Sequence, residues 1–138
     1  MSVSLVLSVI WILSGALIVK LLSAWDQLPD RVAVHFNTAL QPNGWSSKRG
    51  LAATVLIAVL GQTALATFVL LRVAGATGMI GPILLIVNFV LVSALWQTIS
   101  YNAEGTPLRL SWFLVPLIVL LVVTFVSSLK GMATVYRR

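Results

Sequence analysis

The sequence predicts an all-α integral membrane protein, a four-helix bundle of four transmembrane helices with one structured, partly extended loop between helices 1 and 2. Of the 138 residues, 59% are hydrophobic and only 9% are charged, and the mean hydropathy is +1.05. Soluble domains carry about 25% charged residues, so this chain has too few to cover a surface facing water. Four long apolar runs, separated by two short polar links and one long one, give the helix count.

Each apolar run is long enough to cross the roughly 30 Å hydrocarbon core of a bilayer as a helix. The first is predicted to be a retained helix and not a cleaved signal peptide, because no basic segment precedes it and its apolar core is too long. At this length the chain should form a single membrane domain, residues 1–138. The predicted spans cover about residues 3–25, 51–71, 79–100 and 110–129.

Residues 26–50 form the long polar interruption, which contains the single histidine of the chain. Within it, Arg31–Phe36 is rich in β-branched and aromatic residues and is predicted to be extended. Pro42-Asn43-Gly44 is typical of a turn, in which the glycine can adopt positive φ. Ser46 or Ser47 should then cap the second helix. The loop is expected to fold back onto the membrane surface.

Gln62 and Asn88 lie near the middle of the second and third spans. An amide in hydrocarbon is costly unless it is paired, so both should face the bundle interior, where they can bond each other. This pattern favours a contact between helices over a transport site. Lys20 should extend its ammonium group toward the interface, with an ion-pathway lysine as the alternative. Pro116 should kink the fourth helix.

The formal charge is +6, from nine Lys and Arg against three Asp and Glu. The basic residues flank the apolar runs and form no single patch, which argues against nucleic-acid binding and for contact with lipid phosphates. They are shared almost evenly between the two sides of the predicted bundle, so charge alone does not fix its orientation. The absence of cysteine excludes disulfides, thiolate metal ligands and thiol nucleophiles.

The loop contains four short motifs: Leu28-Pro29-Asp30, His35-Phe36-Asn37, Pro42-Asn43-Gly44-Trp45 and Ser47-Lys48. Their order and spacing, directly after a first span, resemble the first-loop pattern of the SdpI-type immunity-protein family, whose N-terminal domain is of unknown function. The resemblance covers about residues 10–60. Three positions depart from that pattern: Ala33 stands where the family often has proline, Leu40 where it often has glycine, and Asn43 where it often has aspartate.

The named member of that family protects a bacterium from its own secreted toxic peptide and takes part in signalling that the toxin is present. The resemblance therefore implies a bacterial inner (plasma) membrane protein whose loop faces outward and whose termini are cytoplasmic. The residues that carry the loop pattern are the candidate recognition residues. They are Pro29, Asp30, His35, Phe36, Asn37, Asn43, Gly44, Trp45 and Lys48.

Three functional interpretations remain open. In the first, the protein is not an enzyme, and its loop contacts a secreted peptide or a partner membrane protein. In the second, it is a transport-related or accessory subunit with Gln62 and Asn88 at an oligomer interface. In the third, it is a membrane enzyme or metal-binding protein centred on His35.

For the loop residues themselves, a hydrogen-bonded scaffold, in which Asp30 forms an Asx-turn, is favoured over recognition, and either is favoured over metal binding or catalysis. Asp30, His35, Asn37 and Glu104 are the residues that a catalytic or metal site would use. No catalytic residue, metal site or cofactor is predicted. The predicted partners are the lipid bilayer, a peptide or membrane protein at the loop, and a second copy of this chain.

Overall fold

The computed structural model describes residues 2–73 and 76–109, and the isolated positions 111, 114, 117, 118, 121 and 122. Its elements are α1 (Val3–Ala24), a 3-10 turn (Trp25–Gln27), β1 (Arg31–Phe36), β2 (Pro42–Ser47), α2 (Lys48–Arg72) and α3 (Ala76–Glu104). The six isolated positions are helical. The rest of the predicted fourth span, 110–129, lies outside the described residues, as does the kink predicted at Pro116.

In the part of the chain that the structure describes, three helices are long and apolar enough to cross a membrane, each 25 residues long: Val3–Gln27, Lys48–Arg72 and Ile80–Glu104. At 1.5 Å per residue each is about 38 Å long, which exceeds the roughly 30 Å of a bilayer core. Large apolar side chains such as Ile12, Ile57 and Phe68 are exposed on their outer surfaces. Such surfaces suit lipid and not water, so the helices indicate a membrane-embedded protein.

The helix ends have local causes. The second helix begins at Lys48 and not at 51, because the Ser47 side chain caps it by accepting a hydrogen bond from the Gly50 N–H at 3.0 Å. The third helix extends to Glu104, where Gly105 adopts φ 66° and turns the chain out of the helix. The Gly105 and Thr106 N–H groups donate back to the Tyr101 and Ser100 carbonyls at 3.2 and 3.4 Å.

Two apolar clusters form the core, one at each end of the helices. The cluster nearer the strands includes Leu17, Leu21, Val32, Leu51, Val55 and Ile99. The other includes Val6, Ile10, Ala66, Leu70 and Leu85. The buried polar side chains of Ser14, Thr63 and Asn88 lie between the two clusters along their helices.

The predicted pairing of Gln62 with Asn88 does not occur. The Asn88 side chain donates instead to Ser14 Oγ, at 3.2 Å, from the third helix to the first. Neither amide atom of Gln62 has a hydrogen-bond partner among the described residues. The reason is helix rotation: the buried side of α2 runs through Val59, Thr63 and Ala66, so Gln62 is turned away from that line.

A description as all-α is too narrow, because residues 31–47 form an antiparallel β-hairpin. The strand predicted at Arg31–Phe36 pairs with β2, a segment that was expected to hold only a turn. The register joins Arg31 to Ser47 and Phe36 to Pro42, with irregularities on both sides of His35. The Lys48 N–H donates to the Asp30 carbonyl at 2.9 Å and closes the open end of the hairpin against α2.

Candidate functional site

The side chain of Asn102, near the end of α3, bonds the hairpin to the helices. Its Oδ1 accepts the Ala33 N–H at 2.7 Å, and its Nδ2 donates to the Ala33 carbonyl at 2.8 Å. A second Nδ2 hydrogen bond, to the Thr98 carbonyl at 2.8 Å, fixes the amide to its own helix. Asn102 therefore satisfies the edge of β1 as a neighbouring strand would.

Apolar contacts support this docking. Val32 and Ala33 are both 0% exposed, and Val32 belongs to the cluster with Leu28 and Ile99. The rings of Phe36 and Tyr101 meet edge-on, with centroids 5.1 Å apart. The central part of β1 is thus a fixed part of the core, and Phe36 is one of the docking residues.

The turn that joins the strands is organised by Asn37. Its Oδ1 accepts the N–H groups of Ala39 and Gln41 at 3.0 and 2.9 Å, an Asx-type arrangement. That role was expected of Asp30, which forms no side-chain hydrogen bond or ion pair within the described segments. Leu40 has φ 59°, a left-handed conformation that glycine adopts without strain. A glycine at this position would therefore remove the conformational cost that leucine bears.

Gly44 has a different role from the predicted one. Among the described residues, positive φ occurs at Leu40 and Gly105, not at Gly44. Gly44 instead lies directly opposite His35 in the hairpin, and a Cβ there would meet the His35 Cβ at 2.6 Å. The glycine is needed because the two strands approach closely at this pair.

Two cations near the hairpin lie over indole rings. Lys48 Nζ is 4.6 Å from the Trp25 ring centroid, and Arg31 Cζ is 5.5 Å from that of Trp45. These distances are within the range of cation–π attraction. Trp45 remains 51% exposed, and Pro29, which precedes β1, is also exposed. Indole rings of this kind are typical of the membrane interface.

Three polar residues of the loop pattern remain exposed, and their side chains take no part in the hydrogen bonds and ring contacts described above: Asp30, His35 and Asn43, here called the exposed set. Within the described residues, no hydrogen bond, ion pair or ring contact involves their side chains. The hairpin thus presents a carboxylate, an imidazole and an amide on a backbone that other residues hold in place.

The structure does not assemble the catalytic or metal constellation that the sequence allowed. Glu104 forms an ion pair with Lys20, and Asn37 is used in the turn. In the described segments, no group of three or more His, Asp or Glu side chains is placed to hold a metal ion. Lys20 Nζ also lies 5.5 Å from the Trp96 ring centroid.

Sequence reasoning missed Asn102 and Ser14, although both contact other segments. Asn102 lies in the link that had been predicted to follow the third helix, and Ser14 is a small residue in an apolar span. A weak signal exists for Asn102, since it is an amide one turn beyond the last strongly apolar residues of α3.

Residues 9–60 match the protein-family model described as Domain of unknown function (DUF1648). The matched stretch runs from α1 through the whole hairpin into the first half of α2, so it contains the docked strand and the exposed set. No curated protein and no solved structure matches the chain.

Proposed function

We propose that this chain is a small, non-enzymatic, multi-pass bacterial membrane protein of the SdpI-like type, acting in toxin immunity or peptide sensing. In this proposal the hairpin within residues 26–50 recognises a secreted peptide. The observation that supports it is that different residues of the hairpin have different contacts. Ala33, Asn37 and Gly44 maintain the fold, whereas the side chains of the exposed set form no hydrogen bond or ion pair within the described residues.

The chemistry of the exposed set suits a peptide. Asp30 offers a carboxylate for a basic side chain or amino terminus, and Asn43 offers an amide that can pair with a peptide group. His35 is able to donate or accept a hydrogen bond. Because the strands are already fixed by Asn102 and the turn, binding would order few additional groups, which favours affinity.

The proposed location follows from the same role. A secreted peptide reaches the outer side of the inner membrane, so the hairpin faces outward and the termini are cytoplasmic. The end of α2 distant from the hairpin, at Arg72, then faces the cytoplasm. Basic residues lie at both ends of the helices, so charge does not decide this orientation.

A protection assay tests this function. The full chain is expressed in a bacterial strain sensitive to secreted membrane-active peptides, and the lethal concentration of each peptide in a panel is measured with and without it. We expect wild-type protein to raise the lethal concentration of at least one peptide, and a triple alanine variant of the exposed set to abolish that gain at equal membrane abundance.

A matched control changes three exposed polar residues at the same end but outside the hairpin: Asp26→Ala, Gln27→Ala and Arg49→Ala. This control should protect as well as the wild type. Equal protection by the exposed-set variant would contradict the proposal, as would the absence of protection against every peptide of the panel.

A second candidate function, an accessory or transport-related subunit, is favoured by Gln62. Both of its amide atoms are buried and have no hydrogen-bond partner within the described residues, and the Asn88 Oδ1 is also unpaired there. A neighbouring subunit would supply partners for Gln62 if its side chain, which lies beside the buried line of α2, turned outward toward that subunit. If so, Gln62→Leu should dissociate an oligomer seen by cross-linking in membranes. Under the first function this substitution leaves protection unchanged.

A further inference from the structure

A cleft of about 240 Å³ lies between α1 and α3, at the ends of these helices that are nearer the hairpin. No residue of the exposed set lines it. The chain forms one wall of this cleft by folding back after α3. Gly105 turns the backbone, and the Arg109 N–H then donates to Gln97 Oε1 at 2.8 Å. Thr106 and Pro107 are thereby placed beside the cleft.

Gln97 contributes an unused donor to the cleft. Its side chain is 7% exposed, yet its Nε2 has no hydrogen-bond partner among the described residues. A buried amide without a partner is costly, and most such groups in native proteins are paired with protein, water or a ligand. The Nε2 donor is therefore available to a water molecule or to a ligand that carries a hydrogen-bond acceptor.

The ion pair of Lys20 and Glu104 lines the same cleft and retains capacity for a ligand. An ammonium group has three N–H donors, of which Glu104 Oε1 uses one. The second carboxylate oxygen, Oε2, accepts a long 3.4 Å hydrogen bond from the Thr106 hydroxyl, and Ser100 also contributes a side-chain hydrogen bond to this carboxylate. The cleft thus offers N–H donors from Lys20 and Gln97 and, beside them, a carboxylate oxygen that can accept from a cation.

The cleft lies toward the hairpin end of two spans, the end that approaches the lipid headgroups. Lys20 is in the last turns of the span Val3–Gln27, and Glu104 is the final residue of the span Ile80–Glu104. The Trp96 indole, with Lys20 Nζ 5.5 Å from its centroid, forms an apolar wall of the kind found at membrane interfaces. A ligand that enters from the bilayer would reach these groups with its polar end first.

We propose that this cleft binds the headgroup of a zwitterionic phospholipid with a primary amine. The phosphate oxygens accept hydrogen bonds from Gln97 Nε2 and from the two remaining N–H groups of Lys20. The ammonium group donates to Glu104 Oε2. The ion pair remains intact, because each partner uses atoms or protons that the pair leaves available. This site does not depend on the proposed peptide recognition or on the orientation of the chain.

Lipid titration of the full chain in detergent micelles tests the site. The probes are short-chain phosphatidylethanolamine, phosphatidylglycerol and phosphatidylcholine with identical acyl chains, and soluble phosphoethanolamine without acyl chains. Because charge-assisted hydrogen bonds are lost with the other two lipids, phosphatidylethanolamine should bind about tenfold more tightly than either. Binding of soluble phosphoethanolamine as well would show that the headgroup suffices, whereas binding of the lipid alone would show that the acyl chains contribute.

Two variants separate the phosphate and ammonium contacts. Gln97→Glu keeps an oxygen for the Arg109 N–H but replaces the vacant donor with a negative oxygen, so it should weaken phosphatidylethanolamine binding at least about tenfold. Glu104→Gln removes the negative charge that pairs with the ammonium group but keeps an acceptor oxygen, so the preference for phosphatidylethanolamine over phosphatidylglycerol should fall sharply. Gln27→Glu is the matched control, since it adds the same charge at an exposed position at the same end.

Equal affinities of the wild type for the three lipids would overturn the proposal. It would also be overturned if Gln97→Glu and Gln27→Glu bound phosphatidylethanolamine equally well. Should Gln97→Glu fail to insert or fold, Glu104→Gln still decides, because an unchanged lipid preference in that variant contradicts the assigned ammonium contact.

Discussion

The docked part of the hairpin and its exposed set are close in sequence but differ in what their side chains and backbone contact. At Ala33, both backbone groups are buried and paired with Asn102, a residue 69 positions away in the chain. At Asp30, His35 and Asn43, the side chains are exposed, and within the described residues no hydrogen bond or ion pair involves them. Stability should therefore depend on the first region and recognition on the second.

The short hairpin is rigid in this protein because the helices support it. A two-stranded hairpin alone is only marginally stable in water. Here the docked strand adds Val32 and Ala33 to the core, and the Asp30 carbonyl is bonded to the start of α2. The membrane helices thus supply the stability that permits exposed residues to serve another purpose.

The largest effect is expected from Asn102→Leu. This change leaves the buried N–H and carbonyl of Ala33 unpaired, and each such group costs about 1–3 kcal/mol. The free energy of unfolding should fall by about 3 kcal/mol. Denaturant unfolding in micelles, followed by tryptophan fluorescence, measures this loss, and hydrogen exchange at Ala33 should accelerate. Asn43→Leu is the control; an equal loss in both variants would remove the distinction between the two regions.

Gly44→Ala is expected to have the next largest effect. Its new Cβ would meet the His35 Cβ at 2.6 Å, so the strands must separate or shift. Such overpacking costs about 1–3 kcal/mol. The same unfolding measurement checks it, and His35→Gly in the Gly44→Ala background should recover part of the loss. Unaltered stability of Gly44→Ala would show that the two strands are not so close.

Leu40→Gly should stabilise the hairpin. A left-handed conformation costs an L-residue about 1–2 kcal/mol, whereas glycine adopts it freely but loses roughly 0.5–1 kcal/mol of chain entropy on folding. The net gain should be about 0.5–1 kcal/mol. Leu40→Ala, which keeps the same conformational cost, should give no gain, and a gain of equal size in both variants would point to the exposed leucine side chain instead.

The smallest effects on stability are expected in the exposed set. Single alanine substitutions of Asp30, His35 and Asn43 should each change the free energy of unfolding by less than about 0.5 kcal/mol, as is usual for surface positions without structural contacts. Unfolding in micelles measures these changes beside the protection assay. A loss close to that of Asn102→Leu in any of them would assign that residue to the scaffold.

Local patterns in the sequence predicted much of the fold. The apolar runs underlying α1, α2 and α3 are strong signals, and the strand at Arg31–Phe36 and the cap at Ser47 depend on residues close together in sequence. The contacts that position the hairpin could not be predicted in this way. Asn102 with Ala33 and Asn88 with Ser14 join residues 69 and 74 positions apart, and depend on how the helices rotate and pack.

The role of Gly44 was missed for a related reason. Because Gly44 follows Pro42 and Asn43, its sequence context is typical of a turn. The same residues can also lie in a strand. The actual turn lies earlier, where Asn37 bonds the N–H groups of Ala39 and Gln41. The pairing of β1 with β2 places Gly44 in a strand and directly opposite His35.

Under the proposed function, the exposed set faces the outside of the cell, where a secreted peptide can reach it. The chain has no cysteine, so a single cysteine can be placed at Asn43 and, as the control at the opposite end of α2, at Val73. Intact cells are treated with a membrane-impermeant maleimide. Labelling of Asn43→Cys before lysis, with Val73→Cys labelled only afterwards, is the predicted result. The reverse pattern would place the hairpin in the cytoplasm and contradict recognition of a secreted peptide.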